Sequence, residues 1–309
     1  MNIVIPKNFV GTANYAARCD YIFNQGFKDF EYQNNKLSDI TDNSTVYCWS
    51  GFLNHLFNYL KQTNIKNITL ISGCEDLPAN PNGTVIGMPV AANHGIIPCP
   101  QNISRWFAQN AEIFSNFMIP APIGLNIFPY KVDTIKEYLT FNTRDKLLYI
   151  NIGINSNPLQ RSAIKDIITK QCPNNKIQPS KTSREYCELL QEHIFCLCPP
   201  GNGKDTHRVW ESLAFGCIPV VEKSSMNDYY ASLFPILVVD RWSDITEEFL
   251  YKKYEELKLK QWRYDLLDVD TWFDYYNIKK SNKHLGYAEI WSKLTVTLSP
   301  DYNKNIINL

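Results

Sequence analysis

The sequence lacks an excess of charge of either sign. Its 309 residues include 31 basic and 31 acidic side chains, so the formal net charge is zero. Proteins that bind nucleic acid in general are usually basic. The balance therefore argues against nucleic acid as a partner, while it leaves room for a local basic patch around a phosphate group.

Long apolar runs are also missing. No stretch of 18 consecutive apolar residues is present, so the sequence predicts no membrane span. Met1–Pro6 predicts a short strand, which is too short for the apolar region of a signal peptide. We therefore expect a soluble, cytoplasmic protein.

The nine cysteines lack the CxxC spacing that zinc sites and redox motifs use. Cys196 and Cys198 alternate within a predicted strand, so both should point to one face of a sheet. We expect buried free thiols, as in proteins of a reducing compartment.

Strand and helix patterns alternate along the chain, which predicts an α/β fold with parallel sheets. A length of 309 residues is enough for two domains. The predicted strands include Thr45–Trp49, Ile68–Ser72 and Lys146–Ile152. Helical spacing of apolar residues predicts helices over 12–25, over 104–117 with Ser104 as N-cap, and over 247–267.

One stretch, residues 196–221, combines a strand, a glycine loop, a helix and a second strand. The predicted helix runs from Thr206 to Phe215, and Gly216 ends it. This arrangement places the loop and the helix N-terminus at the carboxyl edge of a parallel sheet, where α/β proteins bind ligands.

The loop has the composition of an anion site. Gly201 and Gly203 would adopt positive φ and let the backbone approach a ligand closely, and Asp205 or Thr206 would cap the helix. The N–H groups of the first helical turn attract phosphate. The candidate ligand-binding residues of this segment are Gly201, Asn202, Gly203, Thr206, His207, Arg208 and Glu211.

Arg208 and Glu211 are three residues apart and share one helix face. An arginine can bind two phosphate oxygens, and a carboxylate one turn deeper can accept hydrogen bonds from the two hydroxyls of a ribose. The pair therefore suits a nucleoside diphosphate. The alternative is a surface ion pair on an ordinary βαβ crossover.

Gly203-Lys204 resembles the end of a nucleotide-binding P-loop, but the match fails. That motif requires GxxxxGK followed by Ser or Thr. Here Cys198 replaces the first glycine, and Asp205 follows the lysine. A carboxylate at that position would face the phosphates, so the sequence argues against an ATPase or GTPase P-loop.

Cys198-Pro199-Pro200-Gly201, then Asp205, Arg208 and Glu211, and finally Gly216–Val221 resemble the signature of exostosin-type glycosyltransferases, glycosyltransferase family 47. Weaker similarity lies upstream, in residues 106–110 and 119–125. The resemblance implies a GT-B fold, in which two Rossmann-like domains face each other across a cleft. It also implies a nucleotide-sugar donor in the C-terminal domain, no required metal, and inversion at the anomeric carbon.

On this basis the sequence predicts three parts. Residues 1–140 would form an acceptor-binding domain, 141–280 the donor-binding domain, and 281–309 a C-terminal helix that packs back on the first domain. Arg161 would lie at the lip of the first strand of the donor domain and contact the diphosphate, although a solvated arginine is an equal alternative.

A catalytic base should lie in a loop at the C-terminal end of a strand in the first domain. Glu75, Asp76 and His94 are the candidates, and the sequence does not choose among them. The two carboxylates could instead cap a turn, and the histidine could bond its own backbone.

The only DxD string, Asp268-Val269-Asp270, comes after a charged helix and not at a strand end. DxD carboxylates elsewhere hold Mg²⁺ or Mn²⁺ on a diphosphate. The sequence therefore predicts no metal site, and Arg208, Arg161 and the helix N-terminus would stabilise the leaving group.

The resulting prediction is an inverting, metal-independent glycosyltransferase without a cofactor. It would move a sugar, with xylose favoured, from a UDP-sugar to a hydroxyl of a glycan or glycoprotein acceptor. The alternatives are a retaining transferase, a sugar-nucleotide hydrolase, or a module that binds a nucleotide or glycan without catalysis.

Overall fold

The computed structural model describes residues 9–23, 35–74, 76, 78–79, 98–125, 144–178 and 183–284. The predicted strand at Met1–Pro6 and the candidate residues Glu75 and His94 lie outside the described residues. Two parallel sheets organise the rest.

Strand order follows chain order in both sheets, and every described strand pair is parallel. The first sheet contains β1 (Tyr21–Phe23), β2 (Thr45–Trp49), β3 (Ile68–Gly73), β4 (Ile103–Ala108) and β5 (Met118–Pro120). The second contains β6 (Lys146–Tyr149), β7 (His193–Leu197), β8 (Ile218–Glu222) and β9 (Leu237–Val239). The two sheets confirm the predicted α/β fold class.

Eight α-helices fall within the described residues. They are α1 (Thr12–Ala16), α2 (Leu53–Lys61), α3 (Pro158–Gln171), α4 (Ser183–Glu192), α5 (His207–Ala214), α6 (Ser225–Leu233), α7 (Glu247–Lys258) and α8 (Val269–Tyr275). None of the described helices has the length and apolar composition that crossing a membrane requires.

Helices cover both faces of the first sheet. Alternation along β4 sends Trp106 to the face that α2 covers and Phe107 to the opposite face. Helix α2 buries Leu53, Leu56, Phe57 and Leu60, whose spacing of three to four residues forms one apolar stripe.

The second sheet is arranged in the same way. Phe195 and Leu197 pack toward α3 and α7, whereas Cys196 and Cys198 point to the other face, toward Trp210 of α5. The shared face of the two cysteines is therefore confirmed. All nine cysteines lie within the described residues and are free thiols.

One apolar cluster joins the two sheets. It includes Phe107 of the first sheet, Cys196 of the second, and Trp272 of α8. The Trp272 ring lies 5.0 Å from Phe107 and 4.8 Å from Tyr15. Helix α8 thus returns to the first sheet before residue 281. The predicted domain boundaries stay a prediction, since residues 126–143 and 285–309 lie outside the described part.

The predicted helix over 104–117 is wrong, because β4 takes up the segment as far as Ala108 and an irregular connection leads from there to β5. Ser104 is not an N-cap: its hydroxyl donates to the carbonyl of Ile68 at 3.2 Å. Strand pairing with β3 and β5 satisfies the backbone here, and Asn110 leaves the strand direction with a left-handed φ of 54°.

Two further helices are shorter than predicted. The helix expected over 12–25 ends at Ala16, and Tyr21–Phe23 pairs with β2 as a strand. The Asp20 carboxylate accepts a hydrogen bond from the Thr45 N–H at 3.0 Å. This bond holds the chain beside the start of β2, so that the next residues pair as a strand. The helix expected over 247–267 ends at Lys258, before a separate turn at Tyr264–Leu267.

Candidate functional site

The stretch after β7 forms the predicted loop and helix. The chain leaves the sheet at Leu197, passes through the loop, and enters α5 at His207. Gly216, with φ 70°, follows the end of α5, as predicted for a residue that terminates a helix. The loop and the first turn of α5 therefore lie at the carboxyl edge of the second sheet.

Gly201 and Gly203 do not adopt the predicted positive φ. Among the described glycines, that conformation belongs to Gly11, Gly124 and Gly216. Gly203 serves a different purpose, since a Cβ there would lie 2.8 Å from Oδ1 of Asn110. The absent side chain lets the loop approach the first sheet closely.

Thr206 occupies the N-cap position of α5 with an extended backbone, but its side chain makes no capping hydrogen bond. Its hydroxyl oxygen is buried and has no partner among the described residues. Asp205 does not cap the helix either, because its carboxylate accepts from the N–H of Ile123 at 2.9 Å and from Nε1 of Trp210 at 2.8 Å.

Arg208 and Glu211 lie next to each other on α5, and Tyr186 of α4 contacts both. The Arg208 guanidinium lies 5.9 Å from the centre of the Tyr186 ring, and it donates to the carbonyl of Asn151 just beyond β6. The Tyr186 hydroxyl donates to Oε2 of Glu211 at 2.9 Å. The predicted cation–carboxylate pair is thus part of a three-residue cluster.

The cluster stabilises the positive charge of Arg208. Burial alone would lower the pKa of Arg208, but the nearby Tyr186, the thiols of Cys196 and Cys198, and Glu211 raise it above its ordinary value. Glu211 is only 7% exposed. A permanent cation at the head of a helix is the arrangement that suits a phosphate.

Arg161 holds the loop in place. Its guanidinium donates to the carbonyls of Gly153 at 2.8 Å, Pro200 at 2.9 Å and Pro199 at 3.3 Å. Burial, together with repulsion from Arg208, lowers the pKa of Arg161. A direct contact between Arg161 and a diphosphate stays a prediction.

The carboxyl edges of the two sheets meet at this loop. His207 donates from Nδ1 to the carbonyl of Gly124 at 2.7 Å, and the backbone N–H of Asp205 donates to Oδ1 of Asn110 at 2.8 Å. Asn110 follows β4, and Gly124 follows β5. The two units therefore face each other, as expected for a GT-B arrangement.

Of the three candidate bases, only Asp76 lies within the described residues. It is exposed and follows the end of β3, at the carboxyl edge of the first sheet. The choice among Glu75, Asp76 and His94 stays open.

The two carboxylates of the DxD string have other partners. Asp268 caps α8 by accepting from the N–H of Thr271 at 2.9 Å. Asp270 forms a two-point ion pair with Arg18, with N–O distances of 2.6 and 2.7 Å. Within the described ranges, no cluster of three or more potential metal ligands occurs.

Three residues near the edge were missed from the sequence. Asn110 and Gln109 belong to the segment predicted as a helix, which concealed their position at a strand end. Gln109 accepts from the N–H of Cys74 at 2.8 Å and donates to Thr12 at 2.9 Å, so it links the ends of β3 and β4 to the start of α1. Tyr186 had no local signal, because its role depends on how α4 packs beside α5.

These features are those of an α/β protein whose candidate ligand site lies between two facing parallel sheets. The chain belongs to the exostosin family of glycosyltransferase family 47: residues 21–243 match the Exostosin GT47 domain. The predicted family is thereby confirmed.

Individual relatives are distant. The chain is 27% identical over 94 residues to "Ribitol-5-phosphate xylosyltransferase 1" of Danio rerio, which covers 30% of this chain and 20% of that protein. It is 25% identical over 152 residues to "Probable xyloglucan galactosyltransferase GT13" of Arabidopsis thaliana, which covers 45% of this chain and 32% of the relative. The chain thus matches a third or less of the length of these curated relatives.

A solved structure of AviGT4, described as a glycosyltransferase involved in avilamycin A biosynthesis, superimposes with a TM-score of 0.32 at 10% identity. The superposition covers 85% of this chain and 84% of AviGT4.

Proposed function

We propose that this protein is an inverting glycosyltransferase that moves a sugar from a UDP-linked donor to a hydroxyl of a glycan acceptor, without a metal ion. The observation that carries the proposal is the Arg208–Glu211–Tyr186 cluster. It lies at the start of a helix, at the carboxyl edge of one parallel sheet, and it faces a second sheet of the same kind.

In the proposed complex, Arg208 and the N–H groups at the start of α5 hold the diphosphate. Glu211 accepts from the ribose hydroxyls. Its Oε1 makes no hydrogen bond within the described part of the chain, whereas Tyr186 occupies Oε2. The sugar then projects from the second sheet toward the carboxyl edge of the first.

The reaction is a single displacement. A base of the first domain, one of Glu75, Asp76 and His94, takes the proton of the acceptor hydroxyl. The acceptor oxygen forms a bond to the anomeric carbon while the bond to UDP breaks, and the leaving phosphate oxygen keeps the electron pair. Arg208 stabilises that developing negative charge.

Two observations support a reaction without metal. The carboxylates of Asp268 and Asp270 are occupied by a helix cap and by Arg18. Arg208 and the N-terminus of α5 supply positive charge at the proposed diphosphate position, where a metal-independent transferase has to stabilise the leaving group. The name of the Danio rerio relative supports xylose as the transferred sugar. A cytoplasmic location stays a prediction.

The proposal is tested by measuring the thermal stability of the protein with UDP, GDP and their sugars, each in the presence of EDTA. A nucleotide at a hundred times its Kd should stabilise the fold by roughly 2.7 kcal/mol. We expect stabilisation by UDP and UDP-xylose, and product of inverted configuration by NMR. A product of retained configuration, or free sugar alone, would contradict the mechanism, and no response to any nucleotide would contradict the donor.

Variants locate the site. Arg208→Ala and Glu211→Ala should each abolish transfer while circular dichroism shows a folded protein. Arg241→Ala is the matched control, because Arg241 forms a surface pair with Asp244 at 3.1 Å and is 78% exposed. Turnover like that of the unsubstituted protein in either site variant would disprove the assignment.

A further inference from the structure

Asp205 occupies an unusual position in the candidate donor loop. It is 3% exposed, although it follows the exposed Lys204 and lies only three residues before Arg208. Its carboxylate points away from the expected phosphate position and toward the first sheet. One oxygen accepts from Ile123 N–H of that sheet's edge, and the other accepts from Trp210 of its own helix.

The backbone of Asp205 is fixed from the same side. Its N–H donates to Oδ1 of Asn110 at 2.8 Å. Gly203, two residues earlier, lies so close to the same Asn110 side chain that a Cβ would not fit there. His207, two residues later, donates to the Gly124 carbonyl at 2.7 Å. Every second residue from 203 to 207 therefore contacts the first sheet.

Arg208, which is proposed to hold the diphosphate, directly follows the last of these three contact positions. A segment held at three successive points has little freedom to move relative to the surface that holds it. The orientation of the start of α5, and with it the Arg208 guanidinium, thus depends on contact with the opposite sheet.

We propose that Asp205 is a positioning residue: it docks the donor loop on the first sheet, so that the diphosphate site has its binding geometry only while the two sheets are in contact. The inference rests on the proposed function, in that the ligand of the loop is taken to be a nucleoside diphosphate. Its consequence is that residues of the first sheet, which touch no part of the donor, should control donor affinity.

Two variants on opposite sides of the contact test the proposal. Asp205→Asn replaces one acceptor oxygen by an amide that faces a donor N–H. Asn110→Gly removes the amide that holds the Asp205 N–H and keeps a residue suited to the left-handed backbone at that position. If Asp205→Asn fails to fold, Asn110→Gly still provides the test.

The matched control is Ser225→Ala. Ser225 donates to the carbonyl of Glu112 at 2.7 Å, so it also links the two units, but it lies outside the donor loop. If loss of any contact between the units were sufficient, this variant would behave like the other two.

The measurements are UDP titration by calorimetry and hydrogen exchange of the amides of residues 203–209. We expect Asp205→Asn and Asn110→Gly each to raise the Kd for UDP about tenfold, as expected for loss of one buried hydrogen bond. The Asp205 amide should exchange faster in Asn110→Gly. Ser225→Ala should keep the Kd and the exchange rates of the unsubstituted protein.

Unchanged UDP affinity in both loop variants, with only a lower Tm, would overturn the proposal, since Asp205 would then be merely structural. An equal loss of UDP affinity in Ser225→Ala would overturn the proposal as well. If the unsubstituted protein itself fails to bind UDP, the proposed function is wrong. Hydrogen exchange then tests the role of Asp205 separately. If the amides of residues 203–209 are protected as well in Asn110→Gly as in the unsubstituted protein, the loop is not held on the first sheet by Asn110.

Discussion

Tyr186 donates a hydrogen bond of 2.9 Å to Glu211 and lies with its ring 5.9 Å from the guanidinium of Arg208. One side chain of α4 therefore contacts both members of the pair that defines the candidate donor site. The hydroxyl orients the carboxylate, and the ring provides a face for the cation. These two contributions can be separated by experiment.

Tyr186→Phe keeps the ring and removes the hydroxyl. Because Glu211 is buried, the hydrogen bond to its carboxylate should contribute about 1.5–3 kcal/mol to holding the carboxylate in place, and Tyr186→Phe removes that contribution. In the proposed site Glu211 holds the ribose, so we expect the Kd for UDP to rise about tenfold or more. Calorimetric titration measures this change.

Pyrophosphate is the matched control ligand, since it has no ribose. Its affinity should be the same in Tyr186→Phe and in the unsubstituted protein. A parallel loss of affinity for pyrophosphate and UDP would show that Tyr186 acts through Arg208 and not through Glu211.

Arg161 offers a prediction about stability. Its guanidinium donates to three carbonyls from three separate nitrogens, a planar spread that the single nitrogen of an ammonium group does not have. We expect Arg161→Lys to lower the free energy of unfolding by about 2–4 kcal/mol, measured by urea denaturation. Arg241→Lys, at an exposed ion pair, should change it by less than about 0.5 kcal/mol. Equal stabilities of the two variants would show that positive charge alone suffices at residue 161.

Gly203 and Gly201 form a matched pair for the close approach of the loop to the first sheet. A Cβ at Gly203 would lie 2.8 Å from Asn110, whereas one at Gly201 would lie 3.3 Å from the end of the Arg161 side chain. Gly203→Ala should therefore destabilise the protein by about 1–3 kcal/mol. Gly201→Ala should lower the free energy of unfolding by less than Gly203→Ala does. A larger loss of unfolding free energy at Gly201 would reverse the predicted roles.

The sequence predicted the elements whose local pattern is decisive. Thr45–Trp49 has the predicted bounds in the structure, and the loop, helix and terminating Gly216 after β7 follow the expected order. Prolines and glycines interrupt the chain between β7 and α5, and Gly216 ends α5, so local chemistry determines these bounds.

Residues 104–117 show why other parts could not be predicted. Trp106, Phe107, Phe114 and Phe117 fit a helical spacing as well as a strand, and the partners that decide between the two, β3 and β5, are elsewhere in the chain. The error also concealed Asn110 at the end of β4. Contacts between the sheets, such as that of Asn110 with Asp205, arise only from tertiary packing.

The catalytic base can be assigned by a set of three variants, Glu75→Gln, Asp76→Asn and His94→Gln. Loss of a general base typically lowers the rate by about 10²–10⁴-fold. We expect one variant to show this loss of transfer while its Kd for UDP stays unchanged, because the base contacts the acceptor and not the donor. Full turnover in all three variants would place the base elsewhere.

Burial raises the pKa of the Asp205 carboxyl to about 7, while an unfolded chain leaves it near 4. Between these values the native protein holds a proton that the unfolded chain has released. The stabilisation is therefore complete below about pH 4 and is lost as the pH rises through about 7.

Asp205→Asn removes this titration. The difference in unfolding free energy between the unsubstituted protein and the variant should fall by on the order of a few kcal/mol between pH 4.5 and 8, since one pKa unit corresponds to about 1.4 kcal/mol. The neighbouring hydroxyls of Tyr15 and Tyr230 stay neutral throughout, because burial raises their pKa values further. Asp274→Asn, at an exposed pair with Lys280, should leave the pH dependence unchanged. The same pH dependence in Asp205→Asn as in the unsubstituted protein would mean that Asp205 is ionised across this range, and that the carboxylate is fully compensated by its contacts with Ile123 and Trp210.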